Sequence, residues 1–190
     1  MEILSTIING LSLGGIYAMI ALGYTMVYGI AKMLNFAHGD IIMVGGYVIY
    51  VFMALNNPIL AILMAVIFCV LLGVLIEKVA YKPLRGASPL AVLITAIGVS
   101  YLLQSLAQII FGSAPKMVTV YEFGAVNFMG ATVQISALVT LAVATVVMTA
   151  LTLFVKYTRL GRAMIAVSED KAAAQLMGIN VNGIITITFA

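Results

Sequence analysis

Three long runs of apolar residues without a charged side chain constrain this chain more than any other feature. They cover residues 59–76, 90–111 and 133–155. Each is about 18 to 23 residues long, which is the length that an α-helix needs to cross a bilayer. Hydrophobic residues make up 64% of the chain and charged residues only 8%, and no soluble fold of this size could bury so much apolar surface. The sequence therefore predicts an all-α polytopic membrane protein.

Three further segments complete the predicted spans. Residues 3–30 are uncharged but contain several hydroxyl and amide side chains, so one face of this first helix is expected to look inward. Residues 41–55 would cover only about 22 Å of a ~30 Å hydrocarbon core, so the second span is expected to be discontinuous. Residues 183–190 resemble the beginning of another helix. We therefore expect about five transmembrane helices plus the start of a sixth.

The positively charged residues predict the orientation of these spans. Eight of the nine lysines and arginines follow the first, third or fifth span: Lys32, Lys78, Lys82, Arg85, Lys156, Arg159, Arg162 and Lys171. Because cytoplasmic loops are enriched in such residues, the N-terminus is expected outside. The loop 112–132 would also lie outside, where residues 118–121 and 125–128 could pair as a small hairpin. Basic residues confined to short loops beside spans do not favour a nucleic-acid partner.

A polar loop over residues 156–180 contains a predicted short helix. Ser168 stands where an N-cap is expected, Glu169 and Asp170 place negative charge in the first turn, and Gly178 provides the stop. The helix carries a small apolar face, formed by Ala172, Ala173 and Leu176. About nine residues cannot hold a helix alone in water. This helix must dock either on its own bundle or on a soluble partner protein.

A second polar element precedes the short span. Its residues are Asn35, Phe36, Ala37, His38, Gly39 and Asp40. In one interpretation Asp40 caps a helix that begins at residue 41, and Gly39 permits the turn before it. In the other, the element is the junction of a broken helix that lines a substrate pathway, because polar groups at this depth are costly in lipid. The two interpretations are compatible.

Other patterns are typical of packing. Gly10, Gly14 and Ala18 recur every four residues and would let another helix approach the first span, as Gly45 and Gly46 would in the second. The sequence contains one histidine and one cysteine, so it offers no catalytic constellation, metal cluster or cofactor site. It also lacks the glycine-rich loop that binds nucleotide phosphates. We therefore expect a protein that is not an enzyme and does not hydrolyse ATP itself.

Several sequence blocks resemble the first of the two paired membrane permeases of branched-chain amino acid ABC importers. They are NGLSLGGIYA (residues 9–18), ALGYTMVYGI (21–30), LNFAHGD (34–40) and EKVAYKPLR (77–85), together with the segment 158–179. The blocks follow the family's order and cover most of the chain. On this resemblance residues 1–190 form a single transmembrane permease domain with a coupling loop at 156–180. Family members are longer, so the domain is expected to be incomplete at its C-terminal end.

The resemblance implies a function and a set of partners. The expected function is import of leucine, isoleucine, valine or related amino acids and amides across the plasma (inner) membrane of a bacterium or archaeon. The expected partners are a second permease subunit, two cytoplasmic ATPase subunits and an extracytoplasmic solute-binding protein, with the lipid bilayer as surroundings. The helix 169–177 would be the coupling helix that docks on the ATPase.

Two alternative functions are also compatible with the sequence. A channel or facilitator for small polar solutes such as urea could use Asn35, Phe36 and Ala37 as a half-helix loop, although no second, matching element occurs. An intramembrane enzyme could use His38 and Asp40, although no nucleophile accompanies them. Dependence of transport on ATP separates the importer from both alternatives.

Overall fold

The computed structural model describes residues 2–118, 124–128 and 131–190, and these residues are mainly helical. The elements in chain order are α1 (Glu2–Ala31), α2 (His38–Met53), α3 (Pro58–Ile76), α4 (Pro89–Phe111), β1 (Ala125–Phe128), β2 (Ala131–Gln134), α5 (Ile135–Tyr157), α6 (Arg159–Glu169), α7 (Lys171–Leu176) and α8 (Val181–Phe189). A π-helical turn, Glu77–Tyr81, and a 3-10 turn, Lys82–Leu84, extend α3.

The uncharged runs form the long helices. Within the described part of the chain, four helical segments are long and apolar enough to cross a membrane: Ser5–Ala31, Pro58–Leu84, Pro89–Phe111 and Ile135–Tyr157. Helix α2 has 16 residues and is therefore only about 24 Å long, which confirms that the second apolar segment is short. The helical, polytopic membrane class predicted from the sequence agrees with this architecture.

Two of the long helices begin at sharply defined caps. The side chain of Asn57 accepts a hydrogen bond from the Leu60 amide at 3.1 Å, and that of Ser88 accepts one from Ala91 at 3.4 Å. A proline occupies the first helical position after each cap, where its missing N–H costs nothing. The local sequence alone therefore determines where α3 and α4 start.

The predicted hairpin is present with a different pairing. Strand β1 is one of the two predicted strands, but it pairs antiparallel with β2, with Ala125 opposite Gln134. The partner expected for this strand was residues 118–121. Val118 does not pair with β1, and residues 119–121 lie outside the described residues. Because β2 takes up residues 133 and 134, the fifth span begins at Ile135, two residues later than predicted.

Small residues let neighbouring helices approach closely, although not all of these contacts occur at the predicted positions. A Cβ on Gly15 would lie 3.3 Å from the Cβ of Ala144 in α5, and one on Gly45 would lie 2.9 Å from the Cys69 sulfur in α3. Nothing among the described residues approaches Gly10 or Gly14 in this way. The predicted close approach is therefore confirmed at Gly45, whereas on α1 it occurs one residue further along.

The core lies where the ends of α1, α3 and α4 meet α6, α7 and α8. Its members are buried apolar side chains, including Ile30, Ile76, Tyr81, Val92, Met164, Val167, Ala174 and Ile185. Many large apolar side chains on the long helices are exposed, such as Ile109 at 79%, as expected for surfaces that face lipid. The segments after α1, α3 and α5 therefore form one packed end of the bundle.

Candidate transport and coupling sites

The polar junction between α1 and α2 is held by a buried hydrogen bond. Helix α1 ends at Ala31, and the chain is non-helical until α2 begins at His38. The buried Asn35 accepts a hydrogen bond at 2.9 Å from the hydroxyl of Tyr81, in the π-helical turn. This bond satisfies a polar side chain that would otherwise be costly to bury. The junction is therefore fixed against the extension of α3.

Asp40 does not cap α2. The helix begins two residues earlier, its N-cap is Ala37, and no side chain caps it. Asp40 lies in the first turn, where its negative charge favours the positive end of the helix. It is buried and accepts a hydrogen bond at 3.0 Å from the Gln104 amide of α4. The capping interpretation of this residue is therefore wrong, and its partner is 64 residues away in the sequence.

The remaining junction residues line a cavity between α1 and the start of α2. The cavity has a volume of about 390 Å³, and its lining residues are Tyr17, Ile20, Ala21, Tyr24, Thr25, Asn35, Phe36, His38 and Gly39. The rings of Tyr24 and His38 meet edge to face with centroids 6.1 Å apart. A Cβ on Gly23 would lie 3.2 Å from the His38 ring, so the glycine lets His38 pack closely against α1.

This cavity has the mixed character that a small amphipathic solute requires. Tyr24, Asn35 and His38 supply hydrogen-bonding groups, whereas Ile20 and Phe36 supply apolar surface. Ligand sites typically combine a mostly apolar lining with a few polar groups. Four of the five predicted pathway residues therefore line one cavity. The fifth, Asp40, contacts α4 instead.

The short helix in the polar loop is present, but its start differs from the prediction. Ser168 is not the N-cap, because it still belongs to α6, where its hydroxyl donates to the Ile165 carbonyl at 2.7 Å. Asp170 is the cap of α7, and its carboxylate accepts from the amides of Ala172 at 2.8 Å and Ala173 at 3.0 Å. Glu169 is the last residue of α6. Helix α7 therefore begins at Lys171.

The predicted stop at Gly178 is confirmed. Gly178 has φ +82°, a left-handed conformation that favours glycine. Its amide bonds the Gln175 carbonyl at 3.0 Å, and the Ile179 amide bonds the Ala174 carbonyl at 3.0 Å. This pair of bonds is the Schellman arrangement, which satisfies carbonyls that a helix end leaves without partners. Helix α7 is therefore capped at both ends.

Helix α7 is attached to the bundle by one side and open on the other. Ala174 is buried, and the Lys171 ammonium donates to the Ala31 carbonyl at the end of α1 at 2.8 Å. The predicted apolar face points away from the bundle: Ala172 and Ala173 are exposed, and Leu176 is 90% exposed. The neighbouring Met177 is 85% exposed. An apolar face presented in this way is typical of a surface that binds another protein.

A buried polar cluster that was not predicted from the sequence lies at the same end of the bundle. Glu77 is completely buried and forms an ion pair with Arg85, and the Thr186 hydroxyl donates to Glu77 at 2.9 Å. Arg85 also donates to Asn182 of α8. The only sequence signal was a carboxylate directly after an apolar run, followed by an arginine eight residues later. The cluster connects the end of α3 to α8.

The chain matches one protein family over nearly its whole length. The family described as branched-chain amino acid transport system / permease component matches residues 6–190. No solved structure matches the chain.

Similar proteins carry the same description. The high-affinity branched-chain amino acid transport system permease protein BraD of Pseudomonas aeruginosa is 40% identical over 201 residues, covering 98% of this chain and 66% of that protein. The permease proteins LivH of Salmonella typhimurium and Escherichia coli K12 are 38% and 37% identical over 202 residues, covering 98% of this chain and 65% of each. The chain thus spans just under two thirds of the length of these relatives. It belongs to the family of permease components of branched-chain amino acid transport systems.

Proposed function

We propose that this chain is a permease subunit of an ATP-driven importer that moves leucine, isoleucine, valine or related small amino acids into the cytoplasm. The observation that carries the proposal is the family match over residues 6–190. The relatives named above are branched-chain amino acid transport permeases, and their identity of 37% to 40% extends over 98% of this chain. Accumulation against a concentration gradient requires an energy source, and residues 1–190 contain no glycine-rich nucleotide-binding loop.

Helix α7 is the proposed coupling element. Its face of Ala172, Ala173 and Leu176 docks on a cytoplasmic ATPase subunit, and Met177 enlarges that face. This role is supported by the exposure of Leu176 on a helix whose other side is already bound to the bundle. The remaining proposed partners are a second ATPase subunit, a second permease subunit and an extracytoplasmic solute-binding protein.

The proposed orientation places α7 in the cytoplasm of a bacterial or archaeal cell and the N-terminus outside. Eight of the nine basic residues lie on the side of the bundle that carries α7, whereas Lys116 follows α4 at the opposite end. This asymmetry is the one that cytoplasmic loops of inner-membrane proteins have. The orientation and the coupling role therefore depend on each other.

The cavity between α1 and α2 is the proposed contribution of this chain to the substrate pathway. A branched-chain amino acid has a charged end and an apolar side chain. His38 can hydrogen-bond the charged end beside the buried Asn35, and Ile20 and Phe36 can contact the side chain. Discontinuous helices serve this purpose in other transporters. The alternative function, a facilitator for solutes such as urea, would use the same cavity without an ATPase.

Transport measured in proteoliposomes tests the proposed function. With ATP and Mg²⁺ on the side of the ATPase subunits, the purified transporter should accumulate labelled leucine above its external concentration when the binding protein is supplied. Without ATP, or with an analogue that cannot be hydrolysed, no accumulation is expected. A facilitator would instead equilibrate urea or leucine at the same rate with and without ATP, and that result would contradict the proposal.

The pathway assignment predicts different effects for two neighbouring residues. His38→Ala should lower leucine uptake about tenfold or more, since losing a hydrogen bond to a charged ligand costs about 1.5–3 kcal/mol. Asp40→Asn should leave uptake close to normal, because its amide oxygen can still accept from Gln104 and the residue does not line the cavity. Both variants are measured by initial uptake rates with matched immunoblots. Normal uptake by His38→Ala at normal abundance would remove the cavity from the pathway.

A further inference from the structure

A second cavity lies at the packed end of the bundle, beside α7. It has a volume of about 340 Å³ and is bounded by the end of α1, the loop after α3, the start of α4 and the first residue of α7. Three of its lining residues are cations, Lys32, Arg85 and Lys171, and none of its lining residues is acidic. We call it the basic pocket. Its charge distinguishes it from the proposed substrate cavity, whose lining residues include no lysine or arginine.

The positive charge in the basic pocket is only partly compensated. Arg85 is paired with Glu77, whereas Lys171 donates to a neutral carbonyl. Burial lowers the pKa of the Lys171 ammonium, and the nearby charges of Arg85 and Lys32 lower it further. Like charges held close together disfavour one another's charged state, and an anion bound between them would relieve that repulsion.

The backbone holds Lys32 in an unusual conformation at the edge of this pocket. Its φ is +57°, a left-handed conformation that non-glycine residues rarely adopt. Its amide closes α1 by bonding the Tyr28 carbonyl at 2.9 Å. Glycine adopts this conformation more easily. The left-handed turn ends α1 at Ala31 and leaves Lys32 at the edge of the pocket.

The surroundings of the pocket suit a phospholipid. The N-terminus of α4 lies at its wall, with Pro89 in the lining and Val92 one turn further on, so the helix dipole adds positive potential. Beside it, Leu90 and Ile94 are 65% and 61% exposed on the surface of α4. An acyl chain could lie along this apolar surface while the headgroup occupies the pocket.

We propose that the basic pocket binds the phosphate group of an anionic phospholipid of the cytoplasmic leaflet. Lys32 and Lys171 contact the phosphate, and Arg85 contributes its charge while it remains bonded to Glu77. Basic pockets between membrane helices on the cytoplasmic side are suited to such headgroups. The lipid would connect α1, α4 and α7, so its presence would stabilise the attachment of α7 to the bundle. The site is separate from both the proposed pathway and the proposed ATPase surface.

Lipid retention and thermal stability test this site in the intact protein, purified with the subunits that remain bound to it. Phosphatidylglycerol should bind more tightly than phosphatidylcholine in native mass spectrometry and should raise the unfolding temperature. Lys32→Gln and Lys171→Gln should each weaken phosphatidylglycerol binding about fivefold, and together about thirtyfold. Lys156→Gln, at an exposed lysine of the same side outside the pocket, is the matched control and should change binding little.

Several outcomes decide the proposal. Equal phosphatidylglycerol binding by the double variant and by Lys156→Gln would overturn it. So would equal stabilisation of the unaltered protein by phosphatidylglycerol and phosphatidylcholine, a measurement that does not depend on any variant folding. If millimolar inorganic phosphate alone stabilises the protein and phosphatidylglycerol does not, the pocket takes a free anion and the lipid assignment fails. Displacement of bound phosphatidylglycerol by phosphate would support the shared phosphate chemistry.

Discussion

Replacing Leu176 with aspartate should abolish ATP-driven uptake and release the ATPase subunit while the permease stays in the membrane at normal abundance. Leu176 is 90% exposed, so a carboxylate there costs the isolated chain little. In the proposed interface the same carboxylate would be buried without a partner, and burial of an unpaired charge costs several kcal/mol. Three measurements check this prediction. Uptake assays report transport, copurification reports binding of the ATPase, and an immunoblot of the membrane fraction reports abundance.

Matched variants separate this effect from general damage. Leu176→Met keeps an apolar side chain and should retain uptake. Met117→Asp introduces the same charge at a residue that is 95% exposed at the other end of the bundle, and the ATPase should remain bound. Unchanged copurification with Leu176→Asp would contradict the coupling assignment. Labelling of Met177→Cys by a membrane-impermeant maleimide in intact cells would also contradict it. This variant is made in a background in which Cys69 is replaced by alanine.

Removing the carboxylate of Glu77 should have the largest effect on stability. Glu77→Ala would leave the mostly buried Arg85 without its ionic partner and would remove one of the two acceptors of the Thr186 hydroxyl, which also donates to the Asn182 carbonyl. Breaking a buried ion pair on one side typically costs about 3–5 kcal/mol, which is a large part of the stability of a typical protein. The expected result is low abundance in the membrane and a lower unfolding temperature in detergent.

The double variant makes this prediction more specific. Glu77→Ala combined with Arg85→Ala removes both charges and should recover part of the loss seen in Glu77→Ala alone. Lys78→Ala, at the next residue, alters an exposed side chain and should be nearly neutral. If Glu77→Ala unfolds at the same temperature as Lys78→Ala, the buried pair does not stabilise the fold.

The spans could be predicted because their signal is local. An uncharged run long enough to cross a bilayer forms a helix whatever its neighbours are, since the backbone has no other way to satisfy its hydrogen bonds in lipid. The caps at Asn57 and Ser88 and the stop at Gly178 are local too, and each depends on residues within a few positions. The same applies to the family, because contiguous blocks of sequence carry the resemblance.

The start of α7 could not be predicted because two good capping residues compete. Ser168 and Asp170 both suit an N-cap, and the choice depends on where α6 ends. Residues 159–169 appeared to be a polar loop because they contain two arginines and a glutamate. They form a helix because Met164 and Val167 reach the core, a contact that involves distant parts of the chain. The helix therefore extends through Ser168 and leaves Asp170 to cap α7.

The hydrogen-bond partners of the buried polar groups could not be predicted from the sequence either. Asp40 bonds a residue 64 positions later, Asn35 bonds one 46 positions later, and Glu77 bonds Thr186 across 109 positions. A single sequence gives no indication of such pairs, because polar residues inside a membrane protein can be satisfied by any neighbouring helix. Asn35 lines the cavity between α1 and α2, so the shape of that cavity could not be predicted without the structure.

The bond between Lys171 and the Ala31 carbonyl attaches the first residue of α7 to the end of α1. A helix of 30 residues is about 45 Å long and stiff along its axis. One end of α1 is held by the first residue of α7, and about two turns from that end Gly23 leaves room for the ring of His38, which would lie 3.2 Å from an added Cβ. If α7 docks on an ATPase as proposed, a pull on α7 would act on α1 through this bond, and α1 would carry a shift of about an ångström or two to the wall of the proposed substrate cavity.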